Sequence, residues 1–238
     1  MKIDLAFTPL ELEKKDLEGR SVVVIDTLRA TSTMIVALEN GCSAFIPVAT
    51  VEEARDLAAK NFEFLLAGER RALPLEGFRL GNSPRDYRSN TVKGKTVILT
   101  TSNGTRALLA SRRGAEIFIG SFLNLGALTQ RLLDAGRDIL IACAGEKDLF
   151  CLEDTVCGGA IIERLEKTGV PISKSDAAKA AKVLYDNCEG DVYGALCDCE
   201  WGRYLEGLGL GKDVRICAQI DSSRLVPVYR EGKIFLDR

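Results

Sequence analysis

Acidic, basic and hydroxyl side chains cluster where short apolar runs end in this sequence, a placement that suits phosphoryl chemistry. Val22-Val23-Val24-Ile25 runs into Asp26-Thr27-Leu28-Arg29. Residues 63–67 are followed by Gly68-Glu69-Arg70-Arg71, and residues 96–99 by Thr100-Thr101-Ser102-Asn103-Gly104-Thr105-Arg106. Residues 138–142 lead into a stretch that carries Glu146, Glu153 and Asp154. Apolar runs without polar alternation read as strands buried on both faces. In an α/β sheet, ligands bind beyond the carboxyl ends of the strands. If these strands share one sheet, their terminal groups converge on one rim. The carboxylates of Asp26, Glu69, Glu153 and Asp154 would then hold a hard divalent cation, Mg²⁺ rather than zinc. Arg29, Arg70 and Arg106, with the hydroxyls and backbone N–H groups from Thr101 to Thr105, would grip an anion. Phosphoryl transfer asks mainly for positioning and charge neutralisation.

Each of these residues also has a purely architectural reading. Asp26 and Asp154 both stand just before apolar helical stretches and could serve as N-caps. Glu153 could be a solvated first-turn acid. Arg70 and Arg71 are adjacent, so only one of them is expected to point inward. At most two of Thr100, Thr101 and Ser102 can face a pocket, and the sequence leaves these alternatives open.

Composition narrows the chemistry further. The 238 residues include no histidine, which removes imidazole as base, phosphate acceptor or metal ligand. Eight cysteines with no Cys-x-x-Cys pair read as reduced thiols rather than a zinc site. Cys197-Asp198-Cys199-Glu200-Trp201-Gly202-Arg203 has the Cys-x5-Arg spacing of cysteine phosphatases. Its acids would sit where phosphate needs bare N–H groups, so it reads as a chance match on a helix. The formal net charge of −2 gives no reason to expect nucleic acid or a membrane surface as partner. No apolar run approaches the ~20 residues of a membrane span, and the first residues lack a signal-peptide pattern. The expectation is a cytoplasmic protein acting on a small molecule; a homodimer is compatible with the sequence, which does not set the oligomeric state.

Strand-like runs at 2–7, 22–25, 44–48, 63–67, 96–99, 116–119, 138–142 and 224–229 alternate with helical stretches. Thr50-Val51-Glu52-Glu53 has capping-box spacing, and Asn40-Gly41 is a helix stop. Residues 72–90 read as a long irregular loop forming one wall of the pocket. Residues 173–187 and 192–208 read as two helices. This order predicts one three-layer α/β/α domain over 1–238, with a largely parallel or mixed sheet and a more helical last third from about 173.

The chain resembles the 2-phosphosulfolactate phosphatase family. The resembling blocks are Val23-Val24-Ile25-Asp26-Thr27-Leu28-Arg29-Ala30-Thr31-Ser32, Gly68-Glu69-Arg70, Gly81-Asn82-Ser83-Pro84, Thr100-Thr101-Ser102-Asn103-Gly104-Thr105-Arg106-Ala107 and Leu152-Glu153-Asp154-Thr155-Val156-Cys157-Gly158-Gly159. They occur in order over roughly two thirds of the chain, and the last third resembles the family more loosely. The resemblance implies Mg²⁺-dependent hydrolysis of (2R)-phospho-3-sulfolactate to sulfolactate and phosphate, a step toward coenzyme M. Two other readings of the same residues are an aspartyl-phosphate enzyme of the haloacid-dehalogenase kind, against which Leu28 stands where a second Asp is needed, and a module that binds a small anion without turnover.

Overall fold

The computed structural model describes residues 1–188 and 190–237. The strands are β1 (Lys2–Ala6), β2 (Ser21–Ile25), β3 (Ala44–Pro47), β4 (Leu65–Arg70), β5 (Leu73–Pro74), β6 (Thr96–Thr100), β7 (Glu116–Gly120), β8 (Ile139–Cys143), β9 (Ser173–Lys174), β10 (Pro227–Arg230) and β11 (Lys233–Leu236). The helices are α1 (Pro9–Leu12), α2 (Ala30–Glu39), α3 (Val51–Lys60), α4 (Ser89–Val92), α5 (Gly104–Ala110), α6 (Leu125–Ala135), α7 (Leu152–Glu166), α8 (Asp176–Asp186), α9 (Val192–Asp198), α10 (Glu200–Gly207) and α11 (Gly211–Cys217).

The strands form one mixed sheet in the order β5-β4-β6-β3-β11-β10-β7-β2-β8-β1-β9. Strands β4, β6 and β3 are parallel to one another, and so are β7, β2, β8, β1 and β9. The β10–β11 hairpin bridges the two blocks, antiparallel to each, through Val228↔Phe118 and Ile234↔Phe45. The blocks therefore run in opposite senses, and a single common rim is not what positions the site. In a flat sheet their carboxyl ends would lie on opposite edges. Neighbouring strands twist by roughly 20–25°, so the steps from β2 across to β4 accumulate about 120–150°. That rotation swings the two sets of carboxyl ends back toward each other.

The sheet curls around α2 and α5. Val22 and Val24 of β2, Val97 and Leu99 of β6, Met34 and Ile35 of α2 and Leu108 of α5 share one buried core. Helix α2 is buried on almost every side, and its Thr31, Ser32 and Thr33 hydroxyls donate to the carbonyls of Asp26, Thr27 and Asn82. On the outer face, Ile3, Val23, Ile25 and Ile141 pack against α6, α7 and the helices that follow. Helix α3 covers Ile98 on the same face of the smaller block. These are the helix, sheet and helix layers expected of an α/β domain.

Several local expectations shift. The Thr50–Glu53 capping box forms, with Thr50 Oγ1 accepting from Glu53 N–H at 3.1 Å. Strand β4 runs on to Arg70, beyond the expected end at residue 67. Ser173–Lys174 adds β9 beside β1 instead of starting a helix, and α8 begins after Ser175, whose Oγ accepts from Ala178 N–H at 3.2 Å. The helix expected over 192–208 divides at Cys199, which ends α9 and caps α10 through its sulfur. The final strand is a hairpin, turned at Glu231 and Gly232 with φ of 51° and 78°.

Candidate active site

Asp26 follows the last residue of β2 and faces the start of α5. Its backbone is tied down by Thr31, whose N–H donates to Asp26 O at 3.0 Å and whose Oγ1 accepts from Asp26 N–H at 3.1 Å. Its Oδ1 accepts from Ala30 N–H, the first residue of α2, at 3.0 Å, while Arg29 rather than Asp26 stands at the N-cap position. That bond leaves Oδ2 facing Gly104, where a Cβ would fall 2.5 Å from it. Only glycine lets the α5 backbone come this close. Burial pushes the Asp26 carboxyl up to about 7, and the neighbouring charges of Glu69 and Glu153 push the same way.

Glu69 sits near the end of β4 and Arg70 follows it, so strand alternation sends them to opposite faces. Glu69 is buried. Its Oε1 accepts from Ser102 N–H at 2.8 Å and its Oε2 from Ala72 N–H at 2.9 Å. Arg71 and Ala72 form the two-residue turn between β4 and β5, with φ of 53° and 66°. This is a type I′ geometry that non-glycine residues seldom adopt. It points the two polar groups of Ala72 in different directions, N–H to Glu69 and C=O to Arg29 at 2.7 Å. Strain held at such a place marks a functional wall.

Glu153 and Asp154 lie in the first turn of α7 and are both buried. Asp154 commits both oxygens to backbone donors: Thr27 N–H at 2.8 Å, Ala144 N–H at 3.2 Å and Gly145 N–H at 3.3 Å. It thereby clamps the end of β2 to the end of β8. Burial, then Glu153 and Asp26, hold its carboxyl well above the usual range. Glu153 is also raised by burial, and the thiols of Cys151 and Cys199 beside it are pushed up by burial and by its charge, so both stay protonated.

Arg29 is 2% exposed, and its guanidinium is already engaged: Nη1 donates to Asp213 Oδ2 at 2.5 Å. Asp213, fully buried on α11, also accepts from Ser83 Oγ at 2.8 Å. The last third of the chain thus supplies the counter-ion of a site residue 184 positions earlier. Sequence spacing carried no sign of this, because nothing local distinguishes Asp213 from other helical acids. Trp201 of α10 also lines the site, although it lies within the Cys-x5-Arg match that reads as a chance one. Within that match Arg203 bonds Asp198, and Cys199 Sγ accepts from Gly202 N–H at 3.2 Å.

Asp26, Arg29, Glu69, Asn103, Glu146, Glu153 and Asp154 surround one small cavity with about 20 Å³ of free space. Asn103 reaches it with Nδ2 on Glu146 and Oδ1 on Lys147 N–H. Gly104 belongs to it through its approach to Asp26. The other expected residues stand elsewhere. Arg70 folds back onto Glu69 O and Thr100 Oγ1 at the exposed face of β4. Arg106 is half exposed and paired with Asp148 at 2.9 Å. The Thr101 and Thr105 side chains bond within the turn that opens α5, and Ser102 contributes its N–H to Glu69 rather than a free hydroxyl. Of the backbone donors in the anticipated cradle, Ser102 N–H is taken by Glu69 and Thr105 N–H by Thr101 Oγ1.

Five carboxyl groups meet one guanidinium here, and that guanidinium is neutralised by Asp213. Such an excess of buried negative charge fits a divalent cation. Among the described residues no group of three acidic or sulfur side chains is placed to hold an ion. Mg²⁺ is ordinarily bound by one or two carboxylates, with water and substrate oxygens completing its shell. Among the described residues Asp26 keeps Oδ2 free of hydrogen bonds, and neither Glu153 nor Glu146 accepts from the backbone of another residue.

A family profile described as 2-phosphosulpholactate phosphatase matches residues 6–232. A protein of Clostridium acetobutylicum named probable 2-phosphosulfolactate phosphatase is 38% identical over 235 residues, covering 98% of this chain and 100% of its own. Proteins with the same name from Caldanaerobacter subterraneus subsp. tengcongensis and Symbiobacterium thermophilum are 42% and 39% identical, each over 224 residues. Those two alignments cover 93% of this chain, and 92% and 96% of the respective relatives.

Proposed function

Since the chain belongs to the 2-phosphosulfolactate phosphatase family, we propose that it hydrolyses (2R)-phospho-3-sulfolactate, or a closely related small phosphorylated acid, to the free acid and phosphate, with Mg²⁺ as cofactor. In a cell that makes coenzyme M, this reaction is a step toward it. The observation that carries the proposal is the crowd of carboxyls around Asp26, raised by burial and then by one another. A polyanionic substrate enters such a place only beside a cation.

Asp26 and Glu153 would hold Mg²⁺, which when bound offsets the acids' charge and polarises the phosphoryl group. Glu69 and Asp154 position the walls through their backbone hydrogen bonds. Arg29, fixed by Asp213 and Ala72 O, holds its guanidinium in place at the cavity edge as part of a neutral ion pair. With no histidine in the chain and the Cys151 thiol held protonated by burial and by the charge of Glu153, proton transfer in this site falls to carboxyl groups and water. Trp201, Gly145, Glu146 and Cys151 complete the cavity wall.

Phosphate release from (2R)-phospho-3-sulfolactate, measured with Mg²⁺, with EDTA and with Asp26→Asn, tests this directly. The wild type with Mg²⁺ turns over, while chelation and the variant each abolish turnover. Near-normal turnover in Asp26→Asn removes Asp26 from the reaction, and full activity in EDTA removes the cation.

A further inference from the structure

Arg29, Ala72 and Asn82 line two cavities at once. On one side is the acidic cavity with its 20 Å³ of free space, room for a water-sized group and no more. On the other is a larger space of about 160 Å³ bounded by Pro74, Ser83 and Arg85. Asn82 forms the wall between them. It is 5% exposed, its carbonyl is pinned by Thr33 Oγ1 at 2.9 Å, and its side-chain Oδ1 has no hydrogen-bond partner among the described residues. A buried amide oxygen without a donor is costly unless a ligand supplies one.

The charge of the two spaces is opposite. Arg85 is exposed and pairs with no carboxylate among the described residues. Asp86 lines the same space, but it also faces the neighbouring depression that holds Arg79 and Arg88, so the rim is basic overall. A polyanion is drawn to that rim and repelled from the acidic cavity behind it.

We propose that the outer cavity is the subsite for the non-reacting anionic group of the substrate, a sulfonate or carboxylate, with Arg85 as its charge partner. The phosphoryl group then lies beside Asn82 at the mouth of the acidic cavity, with the carboxyls behind it. Hydrolysis leaves an alcohol on the departing acid, and Asn82 Oδ1 is the acceptor waiting for that hydroxyl. This assignment rests on the phosphatase reading and deepens it.

The test compares wild type, Arg85→Ala and Arg85→Lys on (2R)-phospho-3-sulfolactate and on p-nitrophenyl phosphate, which lacks the second anion. Binding of the product sulfolactate is followed in parallel through the fluorescence of Trp201, the one tryptophan in the chain. Arg85→Ala lowers the ratio of kcat/KM between the two substrates at least tenfold, the equivalent of about 1.4 kcal/mol. The loss appears in KM, sulfolactate binding weakens to match, and Arg85→Lys restores most of both. Equal losses on both substrates, or an unchanged ratio, overturn the subsite. If the wild type releases phosphate from neither compound, the phosphatase reading falls. The fluorescence titration then decides the subsite by itself: tenfold weaker binding in Arg85→Ala supports it, and equal binding overturns it.

Discussion

Replacing Asp213 with asparagine isolates what the last third of the chain does for the site. The variant keeps the shape and leaves an acceptor for Arg29 and Ser83, but it strands a guanidinium that is 2% exposed. Removing one partner of a buried ion pair costs about 3–5 kcal/mol, because the remaining charge is left uncompensated in a poorly polarisable place. The retained amide oxygen argues for the lower end, about 3 kcal/mol. For a chain of this size each kcal/mol moves Tm by roughly 2–4 °C. Asp213→Asn is therefore expected to melt about 6–12 °C below wild type by calorimetry or circular dichroism. Adding Arg29→Met removes the stranded charge, so the double variant recovers part of the loss and the cycle shows a coupling of about 1 kcal/mol or more in urea unfolding. A Tm for Asp213→Asn within about 2 °C of wild type, where a few kcal/mol are expected, or strictly additive losses, would refute the idea that α11 holds Arg29 electrostatically.

Gly104→Ala puts a methyl 2.5 Å from Asp26 Oδ2 and 2.9 Å from Ala30 Cβ, so the carboxylate must move; kcat is expected to drop about 100-fold with an overpacking cost of about 1–3 kcal/mol. Steady-state kinetics that stay within about threefold of wild type would show that the carboxylate's position does not matter. The Asp26 carboxyl, near 3.8 when unfolded and about 7 when folded, holds its proton more tightly in the native state. Its contribution favours folding at low pH and is lost as pH rises from about 4 to about 7. In chelator-treated protein, the Tm advantage of Asp26→Asn over wild type should therefore widen across that interval; a pH-independent difference between the two would contradict it.

What the sequence disclosed was local. The run Val22-Val23-Val24-Ile25 ending at Asp26, the helix Glu153 and Asp154 begin, and the Asn103-Gly104 step into α5 were all readable from apolar spacing and helix-start chemistry. The orientation of Arg70 depended on β4 continuing past residue 67; once the strand reaches Glu69, alternation turns Arg70 outward. Arg106 went the same way because α5 begins at Gly104 and places it beside Asp148 on the surface. The sense of the two strand blocks could not be read at all. It is decided by β10 and β11, whose brief register with β7 and β3 leaves no trace in composition. Asp213 and Trp201 escaped notice for a related reason: they become part of the site only through packing across the fold.

The hairpin has a consequence for how the molecule is made. A ribosome delivers β10 and β11 after every other strand, yet they occupy the middle of the sheet. Until they emerge, the nascent chain has two half-sheets with an open seam along β7 and β3. Those two edges are able to pair with each other in a wrong register, or with a neighbouring chain. Emergence of the hairpin, rather than of Asp26 or α7, is then the event that commits the protein to its native topology. Chaperone dependence should concentrate in that interval.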